Sequence, residues 1–441
     1  MPTKLHLAPE PPTSLAALRI VVPALILAGP ELREGVRVAG FDPSLWVAPE
    51  GLGWFVRSVP ISHEAAVGVE VVAAFAALLA IVGIAARPAL AVLTLSAGYL
   101  FALANLTGWV WHDVHLLWLS ALLAVSPCDH ALAYDAPSPE RPPSTLYAWP
   151  LLFVRLLLGA VYFFPGVHKL ARSGFAWALS DNLRNQLYWK WFENGVLPTL
   201  RLDAYPHLLE MGALFVLLFE LAAPVLFLVR RTRFWGAVLG VAFHLLAQAI
   251  LLIPFLSLWA CYVALVDVRP LLARLGRRAQ GGSPDESERP SSWPVEVVGA
   301  VLVCGVVVQG IRGQMQAFPF ACYPTFEWRA DTEIPDLRLV AEWPDGHTLD
   351  VPHARDSGGY RSQREWGTIW SLARLGGVVA SGPDTEARLR TYYRAVTADE
   401  PLRGLTLGAD RVRVLIVYRS VIPEDRDRPP LRETLLAEIP L

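Results

Sequence analysis

The sequence predicts an all-α polytopic membrane bundle of about nine transmembrane helices, followed by a small C-terminal α+β extracytoplasmic domain. Three observations carry this prediction. Hydrophobic residues make up 54% of the chain and charged residues only 18%, against about 25% charge in an ordinary soluble domain. Apolar runs near the roughly 20 residues that a spanning helix needs recur as far as Arg312. Beyond Gly313 the chain becomes charged and alternates in the manner of strands.

The candidate spans lie at roughly 14–29, 64–86, 88–108, 110–127, 149–168, 207–229, 234–252, 254–269 and 294–312. The first run follows a Pro-rich segment without a clean cleavage site and reads as a retained span. The seventh and eighth form one apolar stretch too long for a single crossing, and Pro254 divides them into a helical hairpin. Arg230, Arg231 and Arg233 precede span seven, and Arg269, Arg274, Arg277 and Arg278 follow span eight. Positive charge favours the inner side. This places the N-terminus inside, loops 30–63 and 169–206 outside, and the C-terminus outside, in a cell membrane. Two domains follow, a membrane part at 1–313 and an extracytoplasmic part at 316–441, with a polar linker at 279–293 before the last span. In the second part, Leu337–Val351 reads as a hairpin over Pro344-Asp345-Gly346 and Arg411–Ile422 as a buried strand, with helices at Glu365–Leu375 and Thr385–Val396.

Some function classes drop out. A net charge of −2 gives no reason to expect nucleic acid. Four cysteines without a CxxC pair suit neither a disulfide framework nor a cysteine zinc site. His112 and His115 share a helix face, but two ligands are too few for a structural zinc, so no metal is expected.

Charged groups inside spans cost several kcal/mol unless paired, and each is therefore a functional candidate. Arg155 in span five and Glu220 in span six fall at similar depth and are expected to form a buried structural ion pair. Glu70 lies in span two. His244 sits in the middle of span seven, where a histidine is ordinarily a packing donor. Lys169 stands out because lysine is scarce: only Lys4, Lys169 and Lys190 occur among 38 basic residues. Arginine does not give up its proton, whereas a desolvated lysine does so readily. Lys169, at the edge of a run broken at Phe164-Pro165-Gly166 and next to His168, is thus a candidate base.

The stretch Tyr162-Phe163-Phe164-Pro165-Gly166-Val167-His168-Lys169-Leu170 resembles the Y-F-x-A-G-V-K-K-L stretch of the vitamin K-dependent gamma-glutamyl carboxylase family. More broadly it resembles the horizontally transferred transmembrane (HTTM) family that contains those enzymes. Arg155, His115-Leu116-Leu117, Phe219-Glu220-Leu221 and Phe243-His244 continue the resemblance in order along the chain. His168 and Pro165 depart from it. The resemblance implies a lyase-type enzyme with Lys169 as the catalytic base on a reduced, vitamin K hydroquinone-like quinone, and His115 assisting carboxylation. Oxygen and CO₂ would be co-substrates, and Tyr162, His168 and His244 would line the cofactor site. The expected partners are the lipid bilayer, an isoprenoid quinone and an extracytoplasmic protein or peptide substrate. The alternative is a non-catalytic, membrane-anchored binding or assembly module.

Overall fold

The computed structural model describes residues 7–41, 43, 46–106, 110, 112–136, 141–274, 293–315, 317–321, 326–351, 387, 391, 407–425 and 428–440. Its helices are α1 (Pro12–Ala28), α2 (Glu31–Ala39), α3 (Gly53–Ser58), α4 (His63–Val82), α5 (Ala86–Ala104), α6 (His115–Ala124) and α7 (Thr145–Ser173). They continue with α8 (Asn182–Glu193), α9 (Pro206–Leu228), α10 (Arg233–Leu246), α11 (Leu256–Trp259), α12 (Arg269–Arg274) and α13 (Trp293–Arg312). Among the described residues, six helices are long and apolar enough to cross a membrane, or seven if the bent pair α1–α2 counts as one span. The chain is a mostly helical, multi-pass membrane protein with a small antiparallel sheet at its C-terminus.

The span count differs from the expected nine in two places. The run at 110–127 contributes only the ten-residue α6, entered through a 3-10 turn at His112–Val114. The run at 254–269 does not make a second arm after Pro254. It breaks into α11 and a 3-10 turn at Ala260–Ala264 that packs Cys261, Tyr262 and Ala264 into the bundle core. Both runs are apolar because they are buried among other helices, and hydropathy does not separate that from contact with lipid. α4 shows the lipid-facing pattern. Ser62 caps its start, accepting from the Ala65 amide, and Gly83 ends it in the left-handed region. Ala66, Ala73, Ala76, Ala77 and Ala80 are buried along one stripe, while Val71, Phe75 and Leu78 project outward. Unpaired apolar faces of this kind belong against lipid tails.

α7 organises the bundle. Ser144 caps it, and the helix runs on through Pro150 and Pro165 to Ser173. Each proline removes one helical N–H, a loss that helices packed in membranes tolerate. The break expected at Phe164-Pro165-Gly166 is therefore absent, and Lys169 lies inside the helix rather than at its edge. α9 packs antiparallel on one face of α7. A Cβ added to Gly159 would meet Pro224, and one added to Gly166 would come within 3.0 Å of the Glu220 Cβ. α13 runs along another face, where its Gly299 and Gly310 receive Phe153 and Phe164.

The sheet has the order β2-β1-β3-β4, from β1 (Glu333–Glu342), β2 (Thr348–Val351), β3 (Arg411–Ser420) and β4 (Arg432–Pro440). The expected hairpin is present, with Glu342 opposite Thr348 and Gly346 in the left-handed region. The expected strand at 411 is the buried centre of the sheet. β4 has no counterpart among the expected strands, because Arg432, Glu433 and Glu438 break up its apolar residues. The helices expected at 365–375 and 385–396 lie outside the described residues.

The sheet meets the bundle at the end where α7 finishes. Leu187, Tyr188 and Trp191 of α8 and Leu209 of α9 form a buried cluster with Ile334 and Val421. Arg201 donates to both oxygens of Asp203 and also to Glu424 beyond β3. The Arg230–Arg233 turn lies at the opposite end, near the start of α7.

The hydrogen bond from Arg201 holds the Asp203 and Glu424 carboxyls below the usual carboxylate range. Groups depressed in this way stabilise the docked state above their ordinary values, near pH 4, and that contribution is lost as pH falls below them. The protection factor of the amides at the Val421 end of β3, which corrects for the intrinsic pH dependence of exchange, should accordingly fall below about pH 4. Arg201→Gln should lower that protection factor at neutral pH and abolish its pH dependence.

Candidate functional site

Burying a charge in an apolar bundle requires a partner, so the ion pairs reveal the site. Lys169 is 3% exposed and its Nζ donates to Glu220 Oε1 at 2.5 Å. The indole ring of Trp177 covers the same ammonium, 5.0 Å from its centroid. The second Glu220 oxygen is buried with no hydrogen-bond partner among the described residues.

The expected Arg155–Glu220 pair does not form. Arg155 donates instead to Glu10 Oε1 at 2.8 Å and, through Nε, to the Ala264 carbonyl. Glu10 Oε1 also accepts from Arg233 at 2.6 Å. Helix geometry accounts for the exchange of partners. The level of Glu220 is marked by Gly166, about 16 Å along α7 from Arg155. Side chains on a helix lean toward its N-terminus. Lys169, less than one turn beyond Gly166, therefore leans back onto Glu220, while Arg155 leans away from it. The apolar run ends at His168 whereas the helix continues to Ser173, so depth counted from the run sets Arg155 level with Glu220 and depth counted from the helix does not.

Two turns back from Lys169, on the same face of α7, lies a buried polar network. Tyr262 donates its hydroxyl to Tyr162, and the Tyr162 hydroxyl meets His244 Nε2 at 2.5 Å. His244 Nδ1 is buried without a partner among the described residues. Phe219, Phe227 and Phe243 pack edge-on around the Tyr162 ring. Gly240 makes room for Tyr262, since a Cβ there would collide with the phenol ring.

Other expected site residues have partners different from those of Lys169. His168 points to α13 and donates to the Gly310 carbonyl at 2.7 Å. His115 is buried and donates through Nε2 to the Ser257 carbonyl within α11, whereas the partners of Lys169 are Glu220 and Trp177. Glu70 is half-buried on α4 and joins neither cluster.

Trp177, Tyr262, Glu10 and Arg233 were not anticipated. A tyrosine inside the apolar run at 254–269 was a usable signal, because a buried phenol needs a hydrogen-bond partner. Arg19, fully buried in α1 and bonded to the Leu132 carbonyl, was equally visible as a charge inside the first span. Trp177 carried no such signal.

The family model of the HTTM domain matches residues 8–267. The chain belongs to the HTTM domain family. The matched region of this HTTM protein holds both ion-pair nodes and the Tyr262–Tyr162–His244 network, while α13 and the sheet lie beyond it. No curated protein and no solved structure matches the chain significantly.

A double-mutant cycle tests the pairing. Lys169→Met and Glu220→Gln should couple by about 1–3 kcal/mol in equilibrium unfolding, while Arg155→Met and Glu220→Gln should be additive within about 0.5 kcal/mol. Glu10→Gln alone should cost about 3 kcal/mol, because it leaves Arg155 buried without its carboxylate.

Proposed function

We propose that this protein is a carboxylase-related membrane enzyme that takes a proton from a reduced quinone at the Lys169–Glu220 pair. The observation that supports this reading is the pair itself: a lysine and a carboxylate, both buried, with one carboxylate oxygen unpartnered. As an ammonium and a carboxylate the pair is neutral. A hydroxyl proton arriving on the free Glu220 oxygen leaves the pair with one positive charge. Lys169 then supplies the counter-charge for the oxygen that lost the proton, in surroundings where water does not screen it.

The residues around Tyr162, two turns along α7 from the pair, suit a quinone. The aromatic side chains Phe219, Phe227 and Phe243 offer an apolar wall, and His244 Nδ1 is an unused buried polar atom in their midst. Tyr162 and His244 would hold an oxygen-bearing ring. His168 fits that role less well, being committed to α13. A bound reduced quinone would supply the electrons with which oxygen becomes a base strong enough for carboxylation. His115, bonded to Ser257 on another segment, gives the carboxylation half less support than proton removal. By the positive-inside rule, the arginine-rich turn at 230–233 faces the cytoplasm, which assigns the opposite end, with Lys169 and the sheet, to the outer face of a cell membrane.

Purified protein given a reduced naphthoquinone and oxygen should form the epoxide. Lys169→Ala, Lys169→Arg and Glu220→Gln should each slow this at least about 100-fold. Absence of turnover, or turnover that survives both Lys169 changes, overturns the reading. In the latter case silent Lys169→Arg, together with sensitivity to changes on the sheet, would favour the binding or assembly module.

A further inference from the structure

The segment Phe326–Asp331, which leads from α13 into β1, lies across the end of α7 as a strap. Hydrogen bonds, an ion pair and a stacked ring pin it there. Trp177 Nε1 donates to the Phe326 carbonyl at 2.6 Å, and Ser173 Oγ reaches the Glu327 carbonyl at 3.5 Å. Arg172 pairs with the Glu327 carboxylate at 3.0 Å, and its guanidinium stacks on Trp328 at 4.3 Å. The Asn182 side chain accepts from the Ala330 amide, Asn185 donates to the Ala330 carbonyl, and Trp189 donates to the Asp331 carbonyl. Phe326 itself is held at φ 58°, a conformation that a bulky residue adopts only where its surroundings impose it.

Trp177 joins the strap to the buried pair. Its indole N–H is used by the strap while its ring face lies over the Lys169 ammonium. We propose that the strap and Trp177 form a latch that closes the sheet-side end of the Lys169 site, with Trp177 as the positioning residue that holds the amine against Glu220 and out of water. Docking of the strap fixes the ring through the Phe326 carbonyl, and the ring in turn shields the cation. Release of the strap frees the indole and opens a path from water to Lys169. The strap lies outside the residues that the HTTM family model matches. The latch stands whether or not the pair acts on a quinone.

Having only three lysines makes the latch directly measurable. The intact protein is treated with formaldehyde and cyanoborohydride below its melting transition, and methylation of Lys169 is followed by peptide mass spectrometry against Lys4. Trp177→Phe keeps a ring face but loses the bond to Phe326. Asn185→Ala combined with Glu327→Gln loosens the strap without touching Trp177. Each should speed Lys169 methylation about three- to tenfold, because labelling tracks the population of the open state. An unchanged rate in the Asn185/Glu327 variant overturns the latch, and that variant decides alone if the Trp177 variant does not accumulate. A rise there without one in Trp177→Phe overturns the part assigned to Trp177. Missing quinone turnover would count against the proposed reaction and leave these rates unaffected.

Discussion

Charge has no solvent inside this bundle, and the arrangement of α7 follows from that constraint. A cation among apolar helices persists only with an anion or a carbonyl beside it. α7 carries two such cations, Arg155 and Lys169, about 21 Å apart along one helix. Each recruits its own acid: Glu10 from the N-terminal segment for Arg155, and Glu220 from α9 for Lys169. The first node ties α7 to the chain's start and to α10 through Arg233. The second ties α7 to α9 at the level of Gly166, where a missing side chain lets the two backbones approach. The register of α7 against its neighbours is thus set at two points, with packed apolar side chains between them.

That constraint also shows which features were legible before the fold was known. Apolar runs announced most of the long helices, and Pro344-Asp345-Gly346 announced the hairpin, because both signals are local. Runs buried among other helices were indistinguishable from runs facing lipid, so 110–127 and 254–269 were counted as spans. The importance of Lys169, Glu220 and Arg155 was readable, since each is a charge where none is expected. Their partners were not readable. Pairing depends on where α7 ends, and a proline inside an apolar run reads as a stop although membrane helices pass through it. Glu10 precedes the first span in a Pro-rich stretch and carries no local sign that it folds back against Arg155.

The sheet end and the arginine-rich end also differ in kind. At the arginine-rich end, Glu10 is shared by two guanidiniums, and Arg155 spends one further donor on the Ala264 carbonyl. Those interactions are dense and suit a fixed joint. At the sheet end, one amine faces one carboxylate oxygen and a ring, and the second oxygen is left over. Tyr162 and His244 continue the same economy two turns deeper, with a nitrogen unused. Unused buried polar atoms are a cost to stability, and two of them, Glu220 Oε2 and His244 Nδ1, belong to the partners of Lys169 and Tyr162 on α7.

This contrast explains a lysine in a chain that writes almost every other cation as arginine. A guanidinium presents five donors in a rigid fork and needs a partner for most of them. Arg155 finds such partners in Glu10 and the Ala264 carbonyl. The partners of Lys169 are the Glu220 carboxylate and the face of Trp177, which offer a five-donor fork fewer acceptors than it has donors. An ammonium is compact enough to use both, and it differs from a guanidinium in being able to release a proton. A compact ammonium therefore fits position 169. The same fit sets a removable proton against a carboxylate with one oxygen to spare, so the steric requirement and the chemical capacity coincide in one side chain.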